Sequence, residues 1–174
     1  MGRRDHLKVR RRARILALQA LFEVDTAHHQ PEASLRGRLE ESPISPEGEK
    51  FCRELLYGVL QNQRVLDTLI QRFAPEWPIE QMAPVDRNIL RLAAYEILFS
   101  QSTPPKVAIS EAVELAKIFG SDSSSRFVNG VLGTLFAHKR ELNLMTAPAP
   151  LTSAITPAKA DNSLGRESST RRSA

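Results

Sequence analysis

Apolar residues recur along this chain at intervals of three and four, the spacing of helices that bury one face. The period is clearest over residues 104–135. Pro104 and Pro105 suit a helix start, where a missing N–H has no partner to lose. Val107, Ala108, Ile109, Ala112, Val113, Leu115, Ala116, Ile118 and Phe119 then form a wide apolar face. Gly120 stands where a left-handed cap would end the helix. The serines of segment 121–125 offer N-caps to a following helix, which carries Phe127, Val128, Val131, Leu132, Leu135 and Phe136 at buried-face spacing. Two helices joined by so tight a corner make an αα-hairpin.

The same period organises the rest. Ile15, Leu18 and Phe22 place the start of the chain on a long helix reaching about His28. Pro31 opens a short helix with Leu35 and Leu39 inward and Arg36, Arg38, Glu40 and Glu41 outward. Ser45 as N-cap and Pro46 at the first position begin a long helix carrying Phe51, Leu55, Val59, Leu66, Leu69, Ile70 and Phe73. Gly58 inside it implies close packing, since glycine costs a helix about 1 kcal/mol against alanine. Three prolines break the chain over residues 74–84, and Trp77 is expected there as a hydrophobic plug, not a base-stacking platform. Val85, Ile89, Leu92, Leu98 and Phe99, interleaved with Asp86, Arg87, Arg91 and Glu96, predict a central helix with a thin polar edge. The expected architecture is all-α, about seven helices in two packed groups, residues 9–73 and 84–143. Residues 1–145 form the domain. Residues 146–174, rich in Ala, Pro, Ser and Thr, read as a disordered tail.

Charge sharpens this picture. Residues 1–14 hold seven Lys or Arg against one Asp, whereas residues 15–145 hold thirteen against seventeen acidic residues. A cationic head on an acidic body suggests nucleic acid at one surface and a basic protein at another. Arginine is suited to phosphate by its planar, permanently charged fork. The single cysteine, Cys52, excludes an internal disulfide and reads as a small buried hydrophobe of a soluble, cytoplasmic protein. No apolar run is long enough to span a bilayer, and no membrane association is expected.

Catalytic signatures are missing. There is no glycine-rich phosphate loop, no nucleophile–base arrangement and no metal-ligand spacing, and the adjacent His28 and His29 read as solvated loop. Glu111 and Glu114 lie one turn apart, but without a third group they read as solvation. No enzyme, cofactor or metal is expected.

KVAISEAVELAKIFG followed by SRFVNGVLG closely resembles the C-terminal signature of the NusB family, the helical transcription antitermination factors. PVDRNILRLAAYEILF and RRRARILALQALFEVD match the same family, so the resemblance covers about residues 10–142. It implies binding of single-stranded, boxA-type RNA of ribosomal RNA operon transcripts together with NusE, a small-subunit ribosomal protein, within an elongation complex of RNA polymerase and other Nus factors. Arg10, Arg11, Arg14 and Arg91 are the implied RNA contacts, with Phe119, Arg126 and Phe127 at the C-terminal corner. Spacing alone makes both phenylalanines core residues. Phe22, Glu80 and Asp86 are the implied contacts with NusE. One departure stands out: the family often carries an acid near Ser123, and here the acid is Asp122. The alternative is a standalone relative of the RNA-binding module of ribosomal RNA cytosine methyltransferases, acting in ribosomal RNA maturation.

Overall fold

A computed structural model describes residues 2–146 of the chain, and the expected tail beyond Thr146 lies outside the described residues. Seven α-helices follow one another: α1 (Arg3–Ala27), α2 (Pro31–Glu41), α3 (Pro46–Phe73), α4 (Pro84–Leu98), α5 (Pro105–Phe119), α6 (Ser124–Ala137) and α7 (Lys139–Thr146), with a 3-10 turn at Ile79–Gln81 between α3 and α4. Among the described residues there is no strand.

Local chemistry sets most boundaries. Proline occupies the first turn of α2, α3, α4 and α5. At α3 the Ser45 hydroxyl accepts the Gly48 N–H at 3.2 Å, satisfying one of the orphan donors of a helix start. His28 ends α1 in the left-handed region, with φ 55° and ψ 30°.

Helix α4 is the axle. It packs against α1, α3, α5 and α6, while α1 also packs on α2 and α3, and α5 on α6. Leu16, Leu21, Leu55, Leu66, Ile89, Leu92, Leu115 and Leu132 from these helices join one buried cluster. The thin polar edge expected for α4 turns inward at two of its four residues. Arg91 and Glu96 are both buried, because ion-pair partners on neighbouring helices offset the cost of desolvating them.

Two corners differ from expectation. Gly120 is extended (φ −89°, ψ −173°), not left-handed. Its lack of a side chain matters for space: a Cβ would lie 2.4 Å from the Ser124 Cβ. Instead of a side-chain cap on Ser123, the buried Ser124 hydroxyl turns back to accept the Ser121 N–H at 2.9 Å. Ile118, predicted on the apolar face of α5, is exposed beside this corner. Gly58 meets the expected close packing, since a Cβ there would fall 2.1 Å from the Tyr95 ring.

Candidate nucleic-acid interface

The arginines of α1 are consecutive or nearly so, and successive residues of a helix point in different directions. Each therefore meets a different environment. Arg10 lies over the Phe51 ring, 4.3 Å from its centre, and donates to the Ser102 carbonyl at 3.2 Å. Arg11 forms a two-pronged pair with Glu111 of α5, at 3.0 and 2.8 Å. That hydrogen bonding, with the Glu111 charge, raises the Arg11 pKa further. Arg12 donates to the Ser42 hydroxyl at the end of α2. Lys8, Arg11 and Arg12 then line, with Arg38 and Glu41, a groove of about 500 Å³ between α1 and α2. Glu111, read from the sequence as mere solvation, is instead the tie between this head and α5.

Arg14 turns the other way. It is 3% exposed and grips both oxygens of Glu96, with Thr103 as a third partner. Arg91 is enclosed in the same manner: Nε and Nη2 donate to the two oxygens of Asp67 at 2.6 and 2.9 Å, and Asp25 lies 3.4 Å away. Asp25 also accepts from Arg87 and Asn88. Burial pushes the Asp25 pKa up, but those hydrogen bonds and the Arg91 charge outweigh it and leave the carboxyl below its ordinary value. Of the arginines implied by resemblance, Arg10 and Arg11 remain at the surface, while Arg14 and Arg91 fasten α1 and α3 to α4.

A second group forms where the break after α3 meets the start of α6. Trp77 is 58% exposed, with Phe127 set edge-on to it at 6.4 Å between ring centres. The expected plug is thus a surface ring. Trp77, Arg126 and Phe127 line two adjoining hollows of about 400 and 420 Å³. The first is completed by Asp86 and Ser123, the second by Phe73, Gly130 and Thr134. One Asp86 carboxylate oxygen is enclosed there without a hydrogen-bond partner. Arg126 is exposed and makes no ion pair or hydrogen bond among the described residues. Phe119 is half-buried against the core. Glu80 is exposed on the 3-10 turn, and Phe22 is 37% exposed on α1.

Helix α5 connects the two groups. Glu111, held by Arg11, precedes Phe119 by roughly two turns, about 12 Å along the axis. Sequence reasoning missed Trp77 and Arg12 as surface candidates. For Trp77 the signal was its position, since a large residue in a short proline-rich break has little chain above it. Among the described residues no helix is long and apolar enough to cross a membrane, and no group of three metal-ligating side chains occurs.

Fold and site define an all-helical protein with a cationic head and an aromatic–arginine corner. Residues 11–136 match the NusB family, and the chain belongs to it. It is 51% identical over 135 residues to the transcription antitermination protein NusB of Roseiflexus sp. (strain RS-1), covering 76% of this chain and 95% of that protein. A solved structure of T. maritima NusB superposes with a TM-score of 0.70 at 34% identity, over 78% of this chain and 96% of that one. A crystal structure of the antitermination factors NusB and NusE in complex with double-stranded RNA has a TM-score of 0.69 at 25% identity, over 75% and 97%.

Proposed function

We propose that this protein is a transcription antitermination factor that binds single-stranded boxA-type RNA of ribosomal RNA transcripts together with NusE, in the cytoplasm, as part of an elongation complex with RNA polymerase and other Nus factors. Family membership supports the antitermination reading, and the solved relative with NusE and double-stranded RNA supports NusE and RNA as partners, the single-stranded boxA target being the resemblance's contribution. The chain spans nearly the whole length of its antitermination relative, which favours this reading over a methyltransferase-type RNA module, and no catalytic role is assigned.

The observation that carries the RNA surface is the exposed pair Arg11 and Arg12 near the start of α1, with Arg10 half-buried beside them over the Phe51 ring. Arg126 and Phe127 extend it, and Phe119 is half-buried against the core. Arginine planes and aromatic rings suit single-stranded RNA, whose bases are free to splay out. Arg14 and Arg91 serve this surface indirectly, by holding α1 and α4 in register. For NusE, a basic protein by the resemblance, Phe22, Glu80 and Asp86 are the contacts, and the two carboxylates suit a guanidinium or ammonium donor. Asp86 shares a hollow with Arg126 and Phe127, so RNA and protein would meet there, and each should tighten the other.

The test is a titration of a labelled boxA-type RNA against the parent and an Arg10→Gln/Arg11→Gln/Arg12→Gln variant, at several salt concentrations and with or without NusE. The variant should bind more weakly, with a salt dependence shallower by about 0.7 for each phosphate of the single strand that is no longer neutralised. Its melting temperature should change by no more than exposed pairs supply. Equal affinity at low salt would remove the head as the RNA site. Equal affinity with and without NusE would remove the cooperative model.

A further inference from the structure

Resting on that RNA reading, we propose that Trp77 is a base-stacking platform, taking an unpaired base of the RNA into the hollow it shares with Gly130 while Arg126 holds the adjoining phosphate. Four observations converge there. The indole is 58% exposed, although indole is the side chain with most to gain from burial. Phe127 packs against it at a steep angle, 69° between the ring planes, and more than half of the indole remains open to solvent. Arg126 lines the same hollow and carries no counter-charge among the described residues. Finally, Gly130 is exposed in mid-helix, with open space where a side chain would begin. Glycine there costs α6 about 1 kcal/mol against alanine, and what the helix gains is a bare floor against which a flat base can lie.

The hollow of about 420 Å³ is also walled by Phe73, Thr134 and Glu76. Glu76 is the one acidic side chain among its lining residues, and it forms no ion pair with Arg126, whose guanidinium is left for an anion. An apolar peptide segment would leave Arg126 unmatched, and a basic one would be repelled by it. A nucleotide satisfies both needs, its base stacking on carbon and its phosphate meeting the guanidinium.

Trp77 is the only tryptophan of the chain, so its emission reports on this site alone. Titrating the full chain with a short labelled single-stranded RNA of the boxA type should quench the indole with the same midpoint as the rise in RNA anisotropy. Trp77→Ala should weaken binding roughly tenfold or more, the range of base–aromatic stacking, and Trp77→Phe should weaken it less. Gly130→Leu fills the floor while improving the helix, so it should bind more weakly yet melt no lower than the parent. RNA binding with unchanged emission, and with unchanged affinity in Trp77→Ala and Gly130→Leu, would overturn the platform and leave the RNA function standing. Loss of NusE binding in these variants with RNA affinity intact would assign the face to protein and also overturn it. No binding of RNA by the parent at low salt, with or without NusE, would remove both readings.

Discussion

Arg14 and Glu96 form a closed pair inside the protein, Nε and Nη2 each donating 2.8 Å to one carboxylate oxygen, with both side chains almost wholly enclosed. The pair joins the arginine-rich first helix to the central one. Its role is to set where the neighbouring arginines point. Breaking it and replacing it are different operations. Arg14→Met should cost about 3–5 kcal/mol in urea unfolding, because Glu96 is left charged and alone in the core. Arg14→Met combined with Glu96→Leu should recover most of that loss and keep the parent's RNA affinity. A double variant that folds but cannot bind RNA would show that an apolar pair does not replace the Arg14–Glu96 pair at this surface.

The Asp25 network predicts a pH dependence. Its carboxyl titrates below the ordinary aspartate value of about 4 when folded. A depressed folded pKa adds stability that is fully present above the unfolded value and is lost as pH falls through the folded one. Parent and Asp25→Asn should therefore differ most at neutral pH, with the gap closing below about pH 4. A gap that stays constant to about pH 2 would dissociate the network from acid unfolding.

Gly58 is a second point where local and tertiary preferences oppose each other. Gly58→Ala improves helix propensity by about 1 kcal/mol, yet its Cβ would fall 2.1 Å from Tyr95 Cζ. Overpacking of this kind costs about 1–3 kcal/mol, so the net effect should be a lower melting temperature. A rise would mean that the Tyr95 ring yields freely.

Cys52 should be chemically silent. Burial pushes its thiol up to about 12, with only a small opposing effect from Arg53, so almost no thiolate exists at neutral pH. A thiol reagent should label it at the rate of unfolding and not before. Immediate labelling of the native protein would show that α3 opens locally.

Most of the helical framework was readable along the chain, because its determinants are local. The prolines of α2 to α5 and the Ser45 cap act within one turn of themselves. Leu55, Leu66 and Leu132 announce a buried face by spacing alone. The site was readable only in part. Resemblance pointed to Arg10, Arg11, Arg126 and Phe127, but periodicity gives the direction of a face without saying what lies opposite.

What lies opposite is a matter of distant sequence. Arg14 finds Glu96 across 82 residues, and Arg11 finds Glu111 across 100. The period places Arg14 on the face of Ala17, Leu18 and Leu21, but the carboxylate that makes its burial tolerable lies far along the chain. Trp77 likewise stands more than half exposed because α6, the later segment that reaches it, meets it on one side only through Phe127. Charge and aromaticity belong to a residue, whereas the solvent left around it depends on how the helices pack, and a binding surface is made of that remainder.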